Sequence, residues 1–92
     1  MKHFVYLLVS LHKKKVISYV GYTNDIKKRL KLHNSSKGAK FTRGRKWKII
    51  YKKEYNTKSE AMRNEHKLKK NKKEREKLKN NYKLRNKIKT GF

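Results

Sequence analysis

The stretch that decides the fold is YVGYTNDIKKRLKLH, residues 19–33. Its first residues are typical of a strand, and the TND that follows offers three good helix N-capping residues. Ile26 and Leu30 lie four apart, so the pattern predicts a helix from about Asp25 to His33 with those two side chains facing inward. Arg29 and His33 also lie one turn apart on that helix. The stretch therefore predicts a strand followed directly by a short basic helix.

Three segments outside or overlapping this stretch have strand patterns. HFVYLLVS, residues 3–10, is apolar at both alternating sets of positions, which indicates a central strand covered on both faces. VISYVGY, residues 16–22, predicts a second strand that is antiparallel to the first through a hairpin. WKIIYKKEY, residues 47–55, predicts a third strand, with Trp47 in the core at its start.

A second helix is predicted in NTKSEAMRNEHKLKK, residues 56–70, which opens with the capping box Thr57-x-x-Glu60. Its inner face is expected to comprise Ala61, Met62, Leu68 and the stem of Glu65. KKEREKLK, residues 72–79, has helix formers and one apolar residue, so it predicts a weakly docked last helix. We expect an α+β fold, a small three-stranded sheet flanked by helices in the order β-β-α-β-α, with one more C-terminal helix as an open alternative. The predicted domain is residues 1–79, followed by a basic tail, 80–92, that is either helical or mobile.

Composition limits the classes of function. The chain has 92 residues, enough for one domain, and it has no cysteine, so thiol catalysis and cysteine-ligated metal sites are excluded. The four histidines lack zinc-ligand spacing, and no apolar run approaches the length that spans a membrane. Because the N-terminus also lacks a secretory signal, we expect a cytoplasmic protein with no membrane partner.

The formal net charge of +24 favours a polyanionic partner such as nucleic acid. A second explanation competes with it, since abundant Lys, Asn, Ile and Tyr without Pro is also what an AT-rich genome encodes. The arginines are more informative, because they occur against that bias and offer a planar fork for phosphate.

Several side chains are candidates for chemistry, each with a structural alternative. Arg29 and His33 would share one side of the first helix, at the border of its apolar stripe, or form a solvated basic face. Tyr6 and Tyr19 lie on adjacent predicted strands, and their hydroxyls converge if the hairpin register pairs them; otherwise they are ordinary strand tyrosines. Gly21 is unusual in a strand and indicates a bulge or a close approach to the backbone.

Glu65 places a carboxylate on the apolar face of the second helix. Such an acid needs an ion pair, a hydrogen bond or a metal to offset its desolvation. A salt bridge to a neighbouring Lys or Arg is one reading, and a ligand for a hard divalent cation such as Mg²⁺ is the other. The chain has only six acids, so a single metal on Glu65 is more economical than a two-metal cluster. The loop before strand three contains polar and basic residues that could contact backbone phosphate or be simply solvated. These residues are Lys40, Thr42, Arg43 and Arg45.

Together these residues resemble the GIY-YIG endonuclease superfamily, and most closely its small stand-alone members of the UPF0213 type. The two name-giving motifs correspond to FVY, ending at Tyr6, and YVG, Tyr19 to Gly21. The family's further elements match Thr23, Asn24, Asp25, Arg29 and His33, then the loop from Gly38 to Arg43, then the helix from Glu60 to Lys69. The resemblance covers roughly residues 2–78. Its departures are mild: Phe4 replaces a glycine, valines at 5 and 20 replace isoleucines, and Tyr22 follows Gly21 where relatives often have an apolar residue.

The resemblance implies a DNA endonuclease that hydrolyses phosphodiester bonds with one divalent metal ion, Mg²⁺ or Mn²⁺, in DNA repair or recombination, with RNA as a further partner. It implies catalytic roles for Tyr6, Tyr19, Arg29, His33 and Glu65, with Glu65 holding the metal. Two readings of other classes stay open: a nucleic-acid-binding module of this fold that does not cut, and a lysine-rich ribosome-associated protein.

Overall fold

The computed structural model describes residues 2–12, 15–35, 37–38 and 40–85. The elements in chain order are β1 (His3–His12), β2 (Lys15–Thr23), α1 (Ile26–Asn34), one turn of 3-10 helix (Lys40–Thr42), β3 (Lys48–Tyr55), α2 (Lys58–Lys70) and α3 (Lys72–Arg85). The predicted α+β fold is confirmed, with the additional C-terminal helix present as α3.

The three strands form an antiparallel sheet in the order β2-β1-β3. The central place predicted for β1 is confirmed, and so is its hairpin with β2. Leu7 and Leu8 of β1 are fully buried because helices cover both faces of the sheet. The β1–β3 register shifts between these two residues, as at a bulge, and Ile50 and Tyr51 both pack against the same core cluster.

The two faces of the sheet bury different sets of residues. On the face toward α2 and α3, here called the apolar face, the buried residues are Val5, Leu7, Val20, Ala61 and Leu68. On the face toward α1, here called the tyrosine face, Tyr6, Leu8 and Trp47 are buried, and Ile26 and Leu30 of α1 pack against them. The alternation predicted for both hairpin strands therefore matches the structure.

The helix ends follow the predicted capping residues. The side chain of Asp25 accepts a hydrogen bond from the backbone N–H of Lys28 at the start of α1. The Thr57 hydroxyl accepts one from the backbone N–H of Glu60 at the start of α2, as in a capping box. Asn71 separates α2 from α3 and caps α3 through the N–H of Glu74.

One inward prediction for α2 is wrong. Met62 is 43% exposed, whereas Ala61 and Leu68 are buried. The reason is helical geometry: positions 61 and 68 are seven residues apart and nearly eclipse one another, while position 62 is rotated by about 100° from position 61.

The predicted boundary at residue 79 falls inside α3, which continues to Arg85. Residues 86–92 of the predicted tail lie outside the described part of the chain. Within the described residues, none of the helices combines the length and the apolar character needed to cross a membrane.

Candidate active site

Tyr6 lies at the centre of the tyrosine face and is 2% exposed. Its Cα pairs across the hairpin with Gly21, and a Cβ at position 21 would lie 2.3 Å from the Tyr6 Cζ and Oη atoms. The close approach predicted from Gly21 is thus present, and glycine is required because any side chain would collide with the phenol. Tyr19 pairs with Leu8, so the two tyrosines are offset by two residues on the same face and not directly opposite.

His33 is fully buried, deeper than the border position predicted for it. Its Nε2 is 2.9 Å from the Tyr6 Oη, and its Nδ1 is 2.8 Å from the Oγ1 of Thr42. Gly38 closes against the ring, since a Cβ at this position would lie 2.5 Å from Nδ1. The imidazole is therefore held between two hydroxyl groups, one on each nitrogen.

Burial, with a contribution from the nearby Arg29 guanidinium, lowers the pKa of His33 to about 4. His33 is consequently neutral at physiological pH, with one ring nitrogen donating a hydrogen bond and the other accepting one. The chain of contacts Tyr6–His33–Thr42 can pass a proton along its length.

Arg29 lies beside the Tyr6 hydroxyl, one turn before His33 on α1. The pKa of Arg29 is raised, chiefly by its polar contact with Tyr6. The pKa of Tyr6 is raised by burial, an effect that the Arg29 cation partly opposes and that Tyr19 and Glu65 reinforce. Among the described residues, the Nε of Arg29 is buried without a hydrogen-bond partner. The Arg29 residue as a whole is partly exposed, so its positive charge is also open to solvent.

Tyr19 joins the site through its ring. The ring centroid lies 5.2 Å from that of His33 in an edge-on arrangement, and 6.2 Å from that of Phe41, with which it is stacked. Trp47 completes the aromatic cluster and is 3% exposed, which confirms its predicted place in the core just before β3. Its indole N–H donates to the carbonyl of Thr42 at 2.9 Å, so the 3-10 turn is tied to the core.

Glu65 lies on α2, which packs on the other face of the sheet and also contacts β2. Its side chain is 14% exposed, so the predicted inward position is confirmed. Its Oε1 is 3.2 Å from the Nζ of Lys69, the salt bridge that the sequence left open. The carboxylate still lies near enough to the tyrosine face to add to the raised pKa of Tyr6, of which burial is the main cause.

The residues predicted to contact nucleic acid separate into two groups. Lys40 and Arg43 are exposed, and Arg45 is half-buried with its guanidinium 5.4 Å from the centroid of the Phe41 ring. Thr42 is fully buried and hydrogen-bonded to His33. The predicted contact between Thr42 and nucleic acid does not fit this position, because the hydroxyl faces the imidazole and not the solvent.

The donors present fit a singly ligated hard cation. No three His, Asp or Glu side chains cluster anywhere in the part of the chain that the structure describes. Mg²⁺ nevertheless commonly takes one or two carboxylates, with waters and substrate phosphate completing its coordination. Glu65 supplies one largely buried carboxylate, the type of ligand that this chemistry needs.

Two positions that hold the site were missed by reasoning from sequence. The motif match includes Gly38 without a role for it, and the prediction for Thr42 is a contact with nucleic acid and not the hydrogen bond with His33. The available signal was His33 itself, because a buried imidazole needs partners for both nitrogens. A hydroxyl in the loop that follows α1 is the natural donor or acceptor for the second one.

Comparison with known proteins agrees with this geometry. The family model described as the GIY-YIG catalytic domain matches residues 2–83. The UPF0213 protein OB0043 of Oceanobacillus iheyensis is 42% identical over 69 residues, which cover 74% of this chain and 77% of that protein. The UPF0213 protein RBAM_000440 of Bacillus velezensis is 44% identical over 68 residues, which cover 73% of this chain and 66% of that protein.

The fold has a counterpart among solved structures. The solution NMR structure of the UPF0213 protein BH0048 from Bacillus halodurans is 34% identical in sequence, with a TM-score of 0.51, and the superposition covers 99% of this chain and 100% of that one. With the family model covering nearly the whole domain, the chain belongs to the GIY-YIG family, a nuclease superfamily, as a small protein of the UPF0213 type.

Proposed function

We propose that this protein is a DNA endonuclease that hydrolyses phosphodiester bonds with a single divalent ion, Mg²⁺ or Mn²⁺. The observation that carries the proposal is the Tyr6–His33–Thr42 chain of hydrogen bonds with the Arg29 guanidinium beside the Tyr6 hydroxyl. This arrangement supplies a route for a proton and a cation for phosphate at one place.

The proton route begins at the attacking water. When Nδ1–H of His33 donates to Thr42, the lone pair on Nε2 accepts the hydrogen of the Tyr6 hydroxyl. As the water oxygen bonds to phosphorus, its proton passes to the Tyr6 oxygen while the Tyr6 proton passes to Nε2. His33 is a weak base with its pKa at about 4, partly because of the Arg29 charge. Negative charge that develops on the phosphate offsets Arg29 and strengthens the base during the reaction.

Arg29 stabilises the transition state. Its guanidinium lies beside the Tyr6 hydroxyl and is partly exposed, so a phosphate oxygen that enters from solvent can accept a hydrogen bond from it. The pentacovalent phosphorus has more negative charge than the substrate, so this contact is stronger in the transition state.

Glu65 would hold the metal ion, which when bound supplies positive charge to the departing 3′ oxygen. Its ion pair with Lys69, whose side chain is 51% exposed, would open when the ion binds, because the cation replaces the ammonium group at the carboxylate. Lys40 and Arg43, exposed on the loop beside the site, would hold neighbouring backbone phosphates.

A second candidate is a DNA-binding module of the same fold that does not cut. The Glu65–Lys69 ion pair favours it, because this pair satisfies the carboxylate without any metal. The net charge of +24 does not distinguish the two functions, because both require binding to the phosphate backbone of DNA.

A nuclease assay with Mg²⁺ or Mn²⁺ on linear, nicked and branched DNA separates the two. We expect metal-dependent cleavage, faster on nicked and branched DNA as a role in repair or recombination requires. Cleavage should be lost in Glu65→Ala and kept in the matched control Glu54→Ala, which removes an exposed acid from β3. Full activity of Glu65→Ala would contradict the metal assignment. Absence of cleavage by the wild type, with tight and salt-sensitive binding, would establish the binding module.

A further inference from the structure

Phe41 is an exposed aromatic side chain in a protein that has few apolar residues to spare. It is 52% exposed, and among the large apolar side chains described, Met62 is the other with high exposure. Phe41 is nevertheless held in place. Its ring stacks on that of Tyr19, and its ring centroid lies 6.2 Å from that of Trp47. The Arg45 guanidinium lies over the Phe41 ring and donates a hydrogen bond to the Phe41 carbonyl at 3.1 Å.

The Phe41 ring forms one wall of a cleft of about 350 Å³ at the edge of β2. Ser18, Tyr19 and Val20 of β2 line the same cleft. Lys69 and Arg75, at the junction of α2 and α3, line the cleft as well. This volume is at the lower end of the range for sites that enclose small organic groups. The cleft therefore combines an aromatic surface with two cations.

The two cations differ in freedom. Arg75 donates hydrogen bonds to the carbonyls of Leu68 and Lys69, so its positive charge is fixed at the end of α2. Lys69 is paired with Glu65 one turn earlier, but its side chain is 51% exposed, so it can turn toward a phosphate more easily than Arg75 can. An aromatic ring facing cations is the arrangement that proteins use for single-stranded nucleic acid, in which the base stacks and the backbone phosphate meets positive charge.

We propose that this cleft binds one unpaired nucleotide of the DNA substrate, with its base against Phe41 and its phosphate toward Lys69. The inference deepens the proposed function and rests on it for the identity of the nucleic acid. Tyr19 lines the cleft and also contacts His33, so the bound nucleotide would lie next to the scissile phosphate. A base inside a duplex has both faces covered by its neighbours, so the cleft selects single-stranded or flapped DNA.

The test is a binding measurement without divalent metal, so that no cleavage takes place. A labelled single-stranded oligonucleotide and a blunt duplex of the same sequence are titrated with the protein at one fixed salt concentration. Phe41→Ala should weaken single-strand binding by about 5–150-fold, the range expected for loss of one stacked base, and should change duplex binding by less than about 2-fold. Phe41→Tyr, which keeps the ring, should stay within about 3-fold of the wild type for both.

Met62→Ala is the matched control, because it removes the other exposed large apolar side chain. It should leave both affinities unchanged. If Phe41→Ala fails to fold, Phe41→Leu and Phe41→Trp replace it: both fill the position, and only Trp should retain single-strand binding. Equal losses for single strand and duplex, equal losses in Phe41→Ala and Phe41→Tyr, or no loss at all would overturn the inference.

This experiment separates the inference from the proposed function. If the wild type never cleaves DNA but shows the single-strand loss in Phe41→Ala, the nuclease proposal fails and the cleft assignment holds. If the wild type cleaves and Phe41→Ala keeps the same preference between flapped and blunt DNA, the nuclease proposal holds and the cleft assignment fails.

Discussion

The two faces of β1 alternate residue by residue along one strand, yet they bury different chemistry. The apolar face packs Val5 and Leu7 against Ala61 and Leu68. The tyrosine face buries the phenol of Tyr6 with the imidazole of His33 and the hydroxyl of Thr42, all linked by hydrogen bonds. The fully buried residues of the first cluster are all apolar, whereas the second face buries polar side chains that are hydrogen-bonded to one another.

The difference shows how a short chain divides its residues. Burial of apolar surface contributes about 25 cal/mol per Å², and the apolar face supplies it without polar groups that need partners. The tyrosine face gains less, because each buried polar group must find a hydrogen bond to offset desolvation. The buried Nε of Arg29 has no hydrogen-bond partner among the described residues, and an unpaired buried donor lowers stability.

The largest expected effect is on the apolar face. Leu7 is fully buried, so Leu7→Ala removes apolar contacts and leaves a cavity, and the free energy of unfolding should fall by about 2–5 kcal/mol. Cleavage per folded molecule should stay unchanged. Urea denaturation and an activity assay on the same preparations measure both. The exposed Met62→Ala should change the free energy of unfolding by less than about 0.5 kcal/mol. A loss of activity as large as the loss of stability would show that the two faces are not separate.

Arg29→Met should show the opposite pattern. We expect cleavage to slow by about 10²–10³-fold, as for the loss of one transition-state donor. The free energy of unfolding should change by less than about 1.5 kcal/mol, because loss of the polar contact with Tyr6 is offset by removal of a buried Nε donor that has no partner among the described residues. Lys27→Met, on the exposed side of the same helix, is the control and should change neither quantity markedly. Destabilisation by Arg29→Met without loss of activity would make Arg29 a structural residue.

His33 predicts a pH dependence of stability. Because its pKa in the fold is about 4, against about 6.5 unfolded, the unfolded chain binds the proton first as the pH falls. The stability from neutral His33 is therefore complete above about pH 6.5 and declines as the pH falls toward 4, by about 3 kcal/mol in all. Cleavage should also slow toward pH 4, because protonated His33 cannot accept from Tyr6.

Unfolding curves of wild type and His33→Gln between pH 4 and 7 test this expectation. The difference in unfolding free energy between them should narrow as the pH falls. His66→Gln, an exposed position on α2, should differ from wild type by less than about 0.5 kcal/mol at every pH. A constant difference between wild type and His33→Gln would mean that His33 is not buried neutral.

Gly21→Ala should have the smallest of these effects. The added methyl would lie 2.3 Å from the Tyr6 ring and must displace it, which typically costs about 1–3 kcal/mol. Displacing Tyr6 should also reduce cleavage, since its hydroxyl then leaves Nε2 of His33. Thermal unfolding and initial rates measure the two effects. Wild-type values for both would show that Tyr6 has room to move.

The strand faces and the helix starts could be predicted from the sequence, because they depend on the spacing of residues close together along the chain. The two faces of β1 and β2 follow from alternation, and the starts of α1 and α2 follow from the capping residues Asp25 and Thr57. The inward position predicted for Met62 is wrong, because the prediction rested on its apolar side chain and not on its angle around the helix.

The remaining features depend on how closely elements dock. The helical spacing of α1 predicts that His33 lies at the border of the apolar stripe. How far its imidazole is buried depends on the distance between α1 and the sheet, which the spacing does not determine. The contact of His33 with Thr42 joins residues nine apart through a loop, and no periodicity encodes it. The sequence did identify an inward Glu65, yet whether that acid pairs with Lys69 or faces the site depends on α2 lying at the edge of β2.

The most direct test of the tyrosine face as a catalytic centre is Tyr6→Phe, which deletes one oxygen atom and keeps the ring. We predict a fall in metal-dependent cleavage of about 10²–10⁴-fold, as for loss of a proton-transfer group, with the free energy of unfolding changed by no more than about 2 kcal/mol. Cleavage by Tyr6→Phe at the wild-type rate, with the fold intact, would contradict the account.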